Sequence, residues 1–307
     1  MIQRLLPFGT LTALFVALAI ASPHFLTAPN LTTVVRQTAV INIMALGMTL
    51  VIISGGIDLS VGSIMALAGF FGADAMRRGV PIPAAIAIGI GVGMLAGLMN
   101  GTLITRLRVN PFIVTLGTMG IIRGVTLLVS NGLAVHQVPK SFAFLGSGND
   151  PFGIPWVLWI LLVCALAMHV VLERTKLGRY AFAIGSNPDA AFYAGIPVRF
   201  HLTCVYAIAG ALTGLSGMIQ ASRLMSGQPT EGIGYELQAI AAVVIGGGSL
   251  RGGEGSVLGT LVGAFIMGLL SDGSDLLGVN PYWQQAIIGA VIILAVFLDE
   301  LRKRRVS

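Results

Sequence analysis

The residue types that carry chemistry in proteins are sparse in this sequence. Its four histidines are scattered without the H-x-x-x-H spacing of a zinc site, and Cys164 and Cys204 lie inside apolar stretches, as buried thiols do. No Ser–His pair, paired carboxylates or metal-ligand spacing occurs, so neither a catalytic residue nor a metal site is predicted. The sequence has no GxxxxGK[ST] phosphate loop, so any ATP is expected to bind to another subunit.

Two charged residues lie in or beside apolar runs, where ionisable groups are functional by default. Asp58 precedes Leu59 and Ser60, so it fits either a helix cap that accepts backbone N–H bonds or a role in transport. Arg123 lies within a run and fits snorkelling, pairing with a neighbouring carbonyl, or a functional role. These two side chains leave an ion-coupled secondary transporter of a small polar solute open as an alternative function.

The amino-acid composition indicates whether these residues lie in a soluble domain or in a membrane. Only 10% of the 307 residues are charged and 55% are hydrophobic, whereas soluble domains carry about a quarter charged residues. The low charge also excludes disorder, and the absence of a G-X-Y period excludes collagen. The net charge of +6 does not indicate nucleic acid, because the basic residues lie between apolar runs and at the C-terminus. An all-α polytopic helical bundle, surrounded by membrane lipid, is therefore predicted.

Apolar runs predict about ten membrane segments in a single transmembrane domain that covers residues 1–307. The first run ends like a signal-peptidase site, but further runs follow, so an uncleaved first helix is expected. If the short run 59–73 does not cross fully, eight crossings are the alternative. The ten runs are 5–22, 37–57, 59–73, 79–105, 109–122, 151–172, 200–222, 237–250, 255–271 and 276–298.

The distribution of Lys and Arg predicts the orientation, because cytoplasmic loops are enriched in both. Ten crossings with the N-terminus inside put most of the 18 basic residues on the cytoplasmic side, so both termini are expected there. The pair Arg77–Arg78 on the outer side is the exception. The cytoplasmic group is Arg4, Arg106, Arg108, Arg174, Lys176, Arg179, Arg199, Arg251, Arg302, Lys303, Arg304 and Arg305, and the outer group is Arg36, Arg77, Arg78, Lys140 and Arg223.

Two runs are too short for ordinary spans, and each lies beside a glycine-rich break. Run 59–73 extends about 22 Å and run 237–250 about 21 Å, against about 30 Å of hydrocarbon. Duplicated broken segments are a recurring feature of transporters, so a weak internal repeat is predicted. The alignment pairs Ile53, Gly55 and Gly56 with Ile245, Gly247 and Gly248, Gly62–Ser63 with Gly255–Ser256, and Asn110–Pro111 with Asn280–Pro281.

Polar residues at or near the broken segments are candidates for a translocation pathway. Hydrogen bonding between helices is the alternative for each of them. The spacing of Gly89, Gly93 and Gly97, four residues apart, instead predicts close packing of one helix on another. The pathway candidates are Asp58, Ser60, Asn100, Asn131 and Gln238.

The longest charged connection on the predicted cytoplasmic side is the loop 173–199. Asn187 is a typical helix N-cap, and Pro188 fits the first helical position. Gly195 and Pro197 are typical of a helix end. We therefore predict a short amphipathic helix on the cytoplasmic face, with an ordinary connecting helix at the membrane interface as the alternative.

This loop resembles the coupling motif E-A-A-x-x-x-G of ABC importer permeases. Asp189-Ala190-Ala191 is followed after three residues by Gly195, with Asp in place of Glu. Further stretches resemble the ribose-type monosaccharide ABC permeases, and the likeness runs from about residue 30 to 300. These stretches are 47–52 with 54–63, 175–180 with 183–187, and 228–230 onward through 234–237 and 239–247.

The resemblance implies a transport subunit, without enzymatic activity, that imports a monosaccharide such as ribose across a bacterial inner membrane. It implies a second permease copy, identical or paralogous, cytoplasmic ABC ATPase subunits, and a periplasmic sugar-binding protein. ATP and Mg²⁺ would bind to the ATPase, and this chain would bind no cofactor. Carried over by position, the ATPase-coupling residues are Gly178, Arg179, Gly185, Asn187, Asp189, Ala190 and Gly195.

Overall fold

The computed structural model describes residues 6–304, so Arg4 and Arg305 lie outside the described residues. Within this range the chain forms twelve α-helices and no β-strand. A 3-10 helix, Lys140–Phe144, lies between α5 and α6. The α-helices are α1 Leu6–Ala21, α2 Ala28–Ile53, α3 Val61–Arg77, α4 Ile82–Leu107, α5 Pro111–Ser130, α6 Trp156–Arg174, α7 Lys176–Ser186, α8 Pro188–Tyr193, α9 Val198–Leu224, α10 Tyr235–Ile245, α11 Val257–Leu276 and α12 Pro281–Arg304.

The predicted polytopic helical bundle is confirmed. Six helices of the described range, α2, α4, α5, α6, α9 and α11, are long and apolar enough to cross a membrane. α1 and α10 are shorter apolar helices. Several runs end elsewhere than predicted. Among them, α5 continues to Ser130 and so includes Arg123, while α10 and α11 end at Ile245 and Leu276.

α2 forms the centre of the bundle, and every residue from Thr38 to Ile53 is buried. A helix that is apolar all round is expected in such a position. α9 runs antiparallel along one side, where the Ser216 hydroxyl donates to the Val40 carbonyl at 3.1 Å. α11 covers another side, where the hydroxyls of Thr49 and Thr260 lie 2.6 Å apart.

Close packing of α4 on α9 confirms the interpretation of the glycines spaced four apart. A methyl group on Gly93 would overlap the backbone oxygen of Gly210, and one on Gly97 would overlap that of Tyr206. Small residues let helix backbones approach closely in membranes. These glycines therefore join the two helices rather than line a path.

α3 is longer than the run 59–73, because it continues to Arg77 and extends about 26 Å. Near its end the buried Asp74 carboxylate accepts hydrogen bonds from Arg77 and from Arg78, the latter at 2.7 Å. One of the two positive charges is thereby offset. The Arg77–Arg78 pair is consequently a weaker exception to the charge rule than its sequence suggests.

The two glycine-rich breaks share one local conformation. Gly55 and Gly247 both have positive φ, +81° and +91°. The Gly55 amide donates to the Ile52 carbonyl and the Gly247 amide to the Val244 carbonyl, both at 2.9 Å. This is the usual left-handed end of a helix, for which glycine is the favoured residue. Asn110 and Asn280 also match, since each side chain accepts from the amide two residues later at 2.9 Å.

The remaining part of the predicted alignment is wrong. Ser256 is the N-cap of α11, whereas Ser63 lies inside α3, whose N-cap is Ser60. α3 packs on α4, α5 and α9, and α10 packs on α11, α12 and α2. The two glycine-rich breaks thus share a turn conformation, and the internal repeat itself stays a prediction.

Candidate functional site

The α7–α8 segment caps the end of the bundle where α2, α4 and α6 finish and α5 and α9 begin. We call this the α7 end. α8 occurs where the sequence predicted a short helix, and Asn187 is its N-cap, with the side chain accepting from the Ala190 amide at 2.9 Å. At its other end the Ile196 amide donates to the Ala191 carbonyl at 3.1 Å, and Gly195 has φ +82°. Both boundaries of α8 thus follow from capping residues.

α7 was not predicted as a helix. Its N-cap is Thr175, whose hydroxyl accepts from the Gly178 amide at 3.4 Å. Such a Thr before an amphipathic stretch is the sequence feature from which this helix could have been predicted. With α7 in place, the predicted coupling residues lie on or directly beside two consecutive helices rather than on a loop and one helix.

The predicted coupling residues fall into two groups. Arg179, Asn187, Asp189, Ala190 and Gly195 are exposed at the α7 end. Beside them on α8 are two bulky aromatic side chains, Phe192 at 66% and Tyr193 at 86% exposure. An exposed apolar patch rimmed by polar residues is typical of a surface that binds another protein.

Gly178 and Gly185 face the bundle instead. A methyl group on Gly178 would overlap the Leu172 carbonyl oxygen at the end of α6, and one on Gly185 would overlap that of Ile53 at the end of α2. These two glycines hold α7 against the membrane helices. They do not belong to the exposed surface.

Three of the pathway candidates meet in one buried cluster at the α2–α3 break. Asp58, Ser60 and Asn100 are each 0% exposed. One carboxylate oxygen of Asp58 accepts from the Ser60 amide at 2.9 Å and from the Ser60 hydroxyl at 2.6 Å. The Asn100 amide donates to the Ser60 hydroxyl oxygen at 2.8 Å. Asn100 lies two turns before the end of α4, so the cluster is about 10 Å inside the α7 end.

Two acceptor oxygens of this cluster receive no hydrogen bond from the described residues. Oδ2 of Asp58 and Oδ1 of Asn100 are buried without a hydrogen-bond partner among the described residues. No cationic side chain in that part of the chain forms an ion pair with Asp58. The helix-cap interpretation of Asp58 is wrong, because the N-cap of α3 is Ser60 and the backbone amide from which Asp58 accepts is that of Ser60, in the turn before the helix. The two unused oxygens leave acceptors for hydroxyl donors.

The other two pathway candidates lie apart from this cluster. Asn131 is exposed at the end of α5, with φ +49°, at the opposite end of the bundle. Gln238 is partly buried on α10. The choice of pathway candidates by polarity alone therefore grouped residues that lie in three different environments.

Arg123 holds a segment that re-enters the bundle. The connection 225–234 leaves α9 at the opposite end, and Gly232 reaches the backbone of Gly62 at the start of α3. The Arg123 guanidinium donates to the carbonyls of Pro229 and Glu231, both at 2.8 Å. This confirms the alternative in which Arg123 pairs with neighbouring carbonyls. Non-helical backbone at this depth requires such partners.

At the opposite end, the connection between α5 and α6 folds over the bundle. Phe142 is fully buried there, and its carbonyl accepts from the Ser222 hydroxyl at 2.6 Å. Partial desolvation raises the pKa of the Asp150 carboxyl, but hydrogen bonds from the Ile154 amide and the Trp159 indole outweigh it and hold that pKa below its ordinary value. The connection therefore presents an ordered surface.

These features together define a class of protein. A bundle with six helices able to span a membrane and a connection, 225–234, that turns back into it fits a membrane permease. In residues 6–304 no group of three or more His, Cys, Asp or Glu is placed to hold a metal ion.

Comparison with known proteins identifies the family. Residues 30–296 match the family model described as the branched-chain amino acid transport system / permease component, so the chain belongs to this permease family. It is 44% identical over 301 residues to the ribose import permease protein of Escherichia coli K12, covering 96% of this chain and 94% of that protein. It is 42% identical to the ribose import permease protein of Bacillus subtilis 168, covering 97% and 92%. It is 38% identical to the D-allose transport system permease protein of Escherichia coli K12, covering 96% and 91%. No solved structure matches the chain.

Proposed function

We propose that this chain is the permease subunit of an ATP-binding-cassette importer for a monosaccharide, ribose or a related pentose. The observation that carries the proposal is the α7–α8 segment, which presents a capped helix and exposed aromatic side chains at one end of the bundle. The relatives named for ribose and D-allose, aligned over nearly the whole chain, support a sugar rather than an amino acid as the solute.

ATP hydrolysis, in this proposal, belongs to partner subunits. Cytoplasmic ABC ATPases, which carry ATP and Mg²⁺, dock on the exposed group of coupling residues, and this chain binds no cofactor of its own. A second permease copy, identical or paralogous, completes the pore. A periplasmic binding protein delivers the sugar to the opposite end, where the ordered connection between α5 and α6 offers a surface.

The proposal includes a topology. The chain is one transmembrane domain, residues 1–307, that contains the coupling loop 173–199 and crosses a bacterial inner membrane ten times with both termini in the cytoplasm. Four helices beyond the six long apolar ones, α1, α3, α10 and α12, supply the additional crossings. α10 is only about 17 Å long, but the re-entrant segment 225–234 covers the remaining depth.

The sugar path is proposed to approach Asp58, Ser60, Asn100, Asn131 and Gln238. The unused oxygens of Asp58 and Asn100 support the first three, because carboxylate and amide oxygens accept hydrogen bonds from sugar hydroxyls. Single cysteines at these five positions, tested with a small polar thiol reagent, check the assignment. Protection of all five in every transport state would contradict it.

The docking surface is tested by placing a cation on α8 and at the glycine that follows it. Asp189→Arg puts a bulky cation in the proposed interface, and Gly195→Arg does so while also straining a backbone with φ +82°, so co-purification of the ATPase and ribose uptake are both expected to fall about tenfold or more. Asp189→Glu keeps the charge and is the matched control, with near-normal values expected. Unchanged co-purification and uptake in both Arg variants would show that the ATPase docks elsewhere.

A further inference from the structure

Three segments of the chain meet at a cluster of glycines beneath α7. They are the end of α2, the end of α7 and the connection 246–256 between α10 and α11. The Gly253 amide donates to the Ile53 carbonyl at 2.8 Å, which joins the first and third segments. We call Gly55, Gly185, Gly252 and Gly253 the glycine junction.

The segments touch through backbone atoms at this junction. A methyl group on Gly185 would overlap the Ile53 carbonyl oxygen and lie 2.7 Å from the Gly253 nitrogen. One on Gly252 would lie 2.9 Å from the Cα atoms of both Gly55 and Gly185. Such distances leave no room for a side chain. A shift of α7 is therefore passed to the other two segments without side-chain rotamers to absorb it.

A cavity beside the junction leaves space for such a shift. Its volume is about 240 Å³, and its lining includes Gly56, Ile104, Leu202 and Tyr206. The α2–α3 break borders it and leads directly to the buried cluster of Asp58 and Ser60. One side of the junction is thus close-packed, and the other side borders open space.

We propose that the glycine junction transmits the movement of the docking helices to the α2–α3 break and to the α10–α11 connection. Its glycines are positioning residues, since they act through the segments that they hold together. This inference rests on the proposed function, because only a docked ATPase supplies the movement. It adds a specific route by which ATP binding reaches the polar cluster inside the bundle.

Gly185→Ala tests the junction in the reconstituted complex of permease, ATPase and binding protein. Gly185 is helical, so the added methyl group acts through its overlap with Ile53 rather than through backbone strain. We expect the ATPase to co-purify normally while ribose transported per ATP hydrolysed falls at least about fivefold. Gly91→Ala is the matched control, because the space around that helical glycine is open.

The outcomes separate the junction from the proposed function. Normal coupling in Gly185→Ala would overturn the junction while leaving ATP-driven uptake by the unmodified complex intact, whereas absence of that uptake would overturn the proposed function itself. Hydrogen exchange of the unmodified complex provides a second test should Gly185→Ala fail to accumulate. The amide of Gly253 is expected to change its exchange rate when ATP is trapped, and an unchanged rate would refute the junction.

Discussion

Asp58, Ser60 and Asn100 illustrate what single residues contribute to this bundle. All three were predicted as pathway residues because they are polar and lie at or near a broken segment. For Asp58, the sequence left two interpretations open, helix cap and pathway residue. Asp58 bonds to the amide and hydroxyl of Ser60, which is itself the N-cap of α3, so the carboxylate stabilises the turn before the helix rather than capping the helix. The contact with Asn100 could not be predicted, because it joins residues 40 positions apart whose meeting depends on the packing of α3 on α4.

Ser60→Ala is expected to destabilise the bundle by about 1–3 kcal/mol, because it leaves buried partners of the lost hydroxyl without a hydrogen bond. The Ser60 hydroxyl both donates to Asp58 and accepts from Asn100. The thermal unfolding midpoint in detergent measures the effect. Thr10→Ala is the control, because that exposed hydroxyl bonds only to a carbonyl of its own helix. Equal midpoints for the two variants would count against a structural role for the cluster.

At the scale of elements, capping residues were more informative than apolar periodicity. Asn187, Pro188 and Gly195 predicted both boundaries of α8, because caps act within a few neighbouring residues. The path of the connection 225–234 could not be predicted from the sequence, because no local motif indicates that a connection turns back into the bundle. The carbonyl partners of Arg123 and the approach of Gly232 to Gly62 reveal it.

Arg123→Gln should release the re-entrant segment, because a neutral amide replaces two charge-assisted hydrogen bonds. Faster hydrogen exchange in residues 225–236, about tenfold or more, is expected together with reduced ribose uptake. Arg123→Lys should give an intermediate result, since an ammonium lacks the fork that spans two carbonyls. Exchange in Arg123→Gln that matches the unmodified chain would show that these bonds do not hold the segment.

The whole molecule is organised around α2, and hydropathy could not have identified this centre. In the most apolar 18-residue stretch of α2, 89% of the residues are buried, whereas the corresponding share is 28% in each of α4, α5 and α6. All four helices are nevertheless apolar enough to span a membrane. Lipid tails and protein interiors are equally apolar, so a helix that faces lipid and one that faces protein have similar sequences. The pairing of Gly62–Ser63 with Gly255–Ser256 was wrong for a related reason, because a shared glycine turn does not specify where the next helix begins.

Cysteine labelling distinguishes ten crossings from eight. In a chain without Cys164 and Cys204, a single cysteine at Arg78 is expected to react with an impermeant maleimide from outside the cell, because α3 crosses fully in the proposed topology. A cysteine at Phe152 serves as the outer reference and one at Asp189 as the inner reference. Labelling at position 78 only after permeabilisation would support eight crossings.

The central claim is that this bundle moves a sugar only when an ATPase acts on the α7 end. The most direct measurement is uptake of labelled ribose into proteoliposomes that contain the permease, its partner ATPase and the periplasmic binding protein. We predict uptake that requires ATP on the side of the α7 end and all three proteins, and that persists when an uncoupler abolishes ion gradients. Uptake without the ATPase, lost on addition of uncoupler while ATP stays high, would contradict the account and favour an ion-coupled transporter.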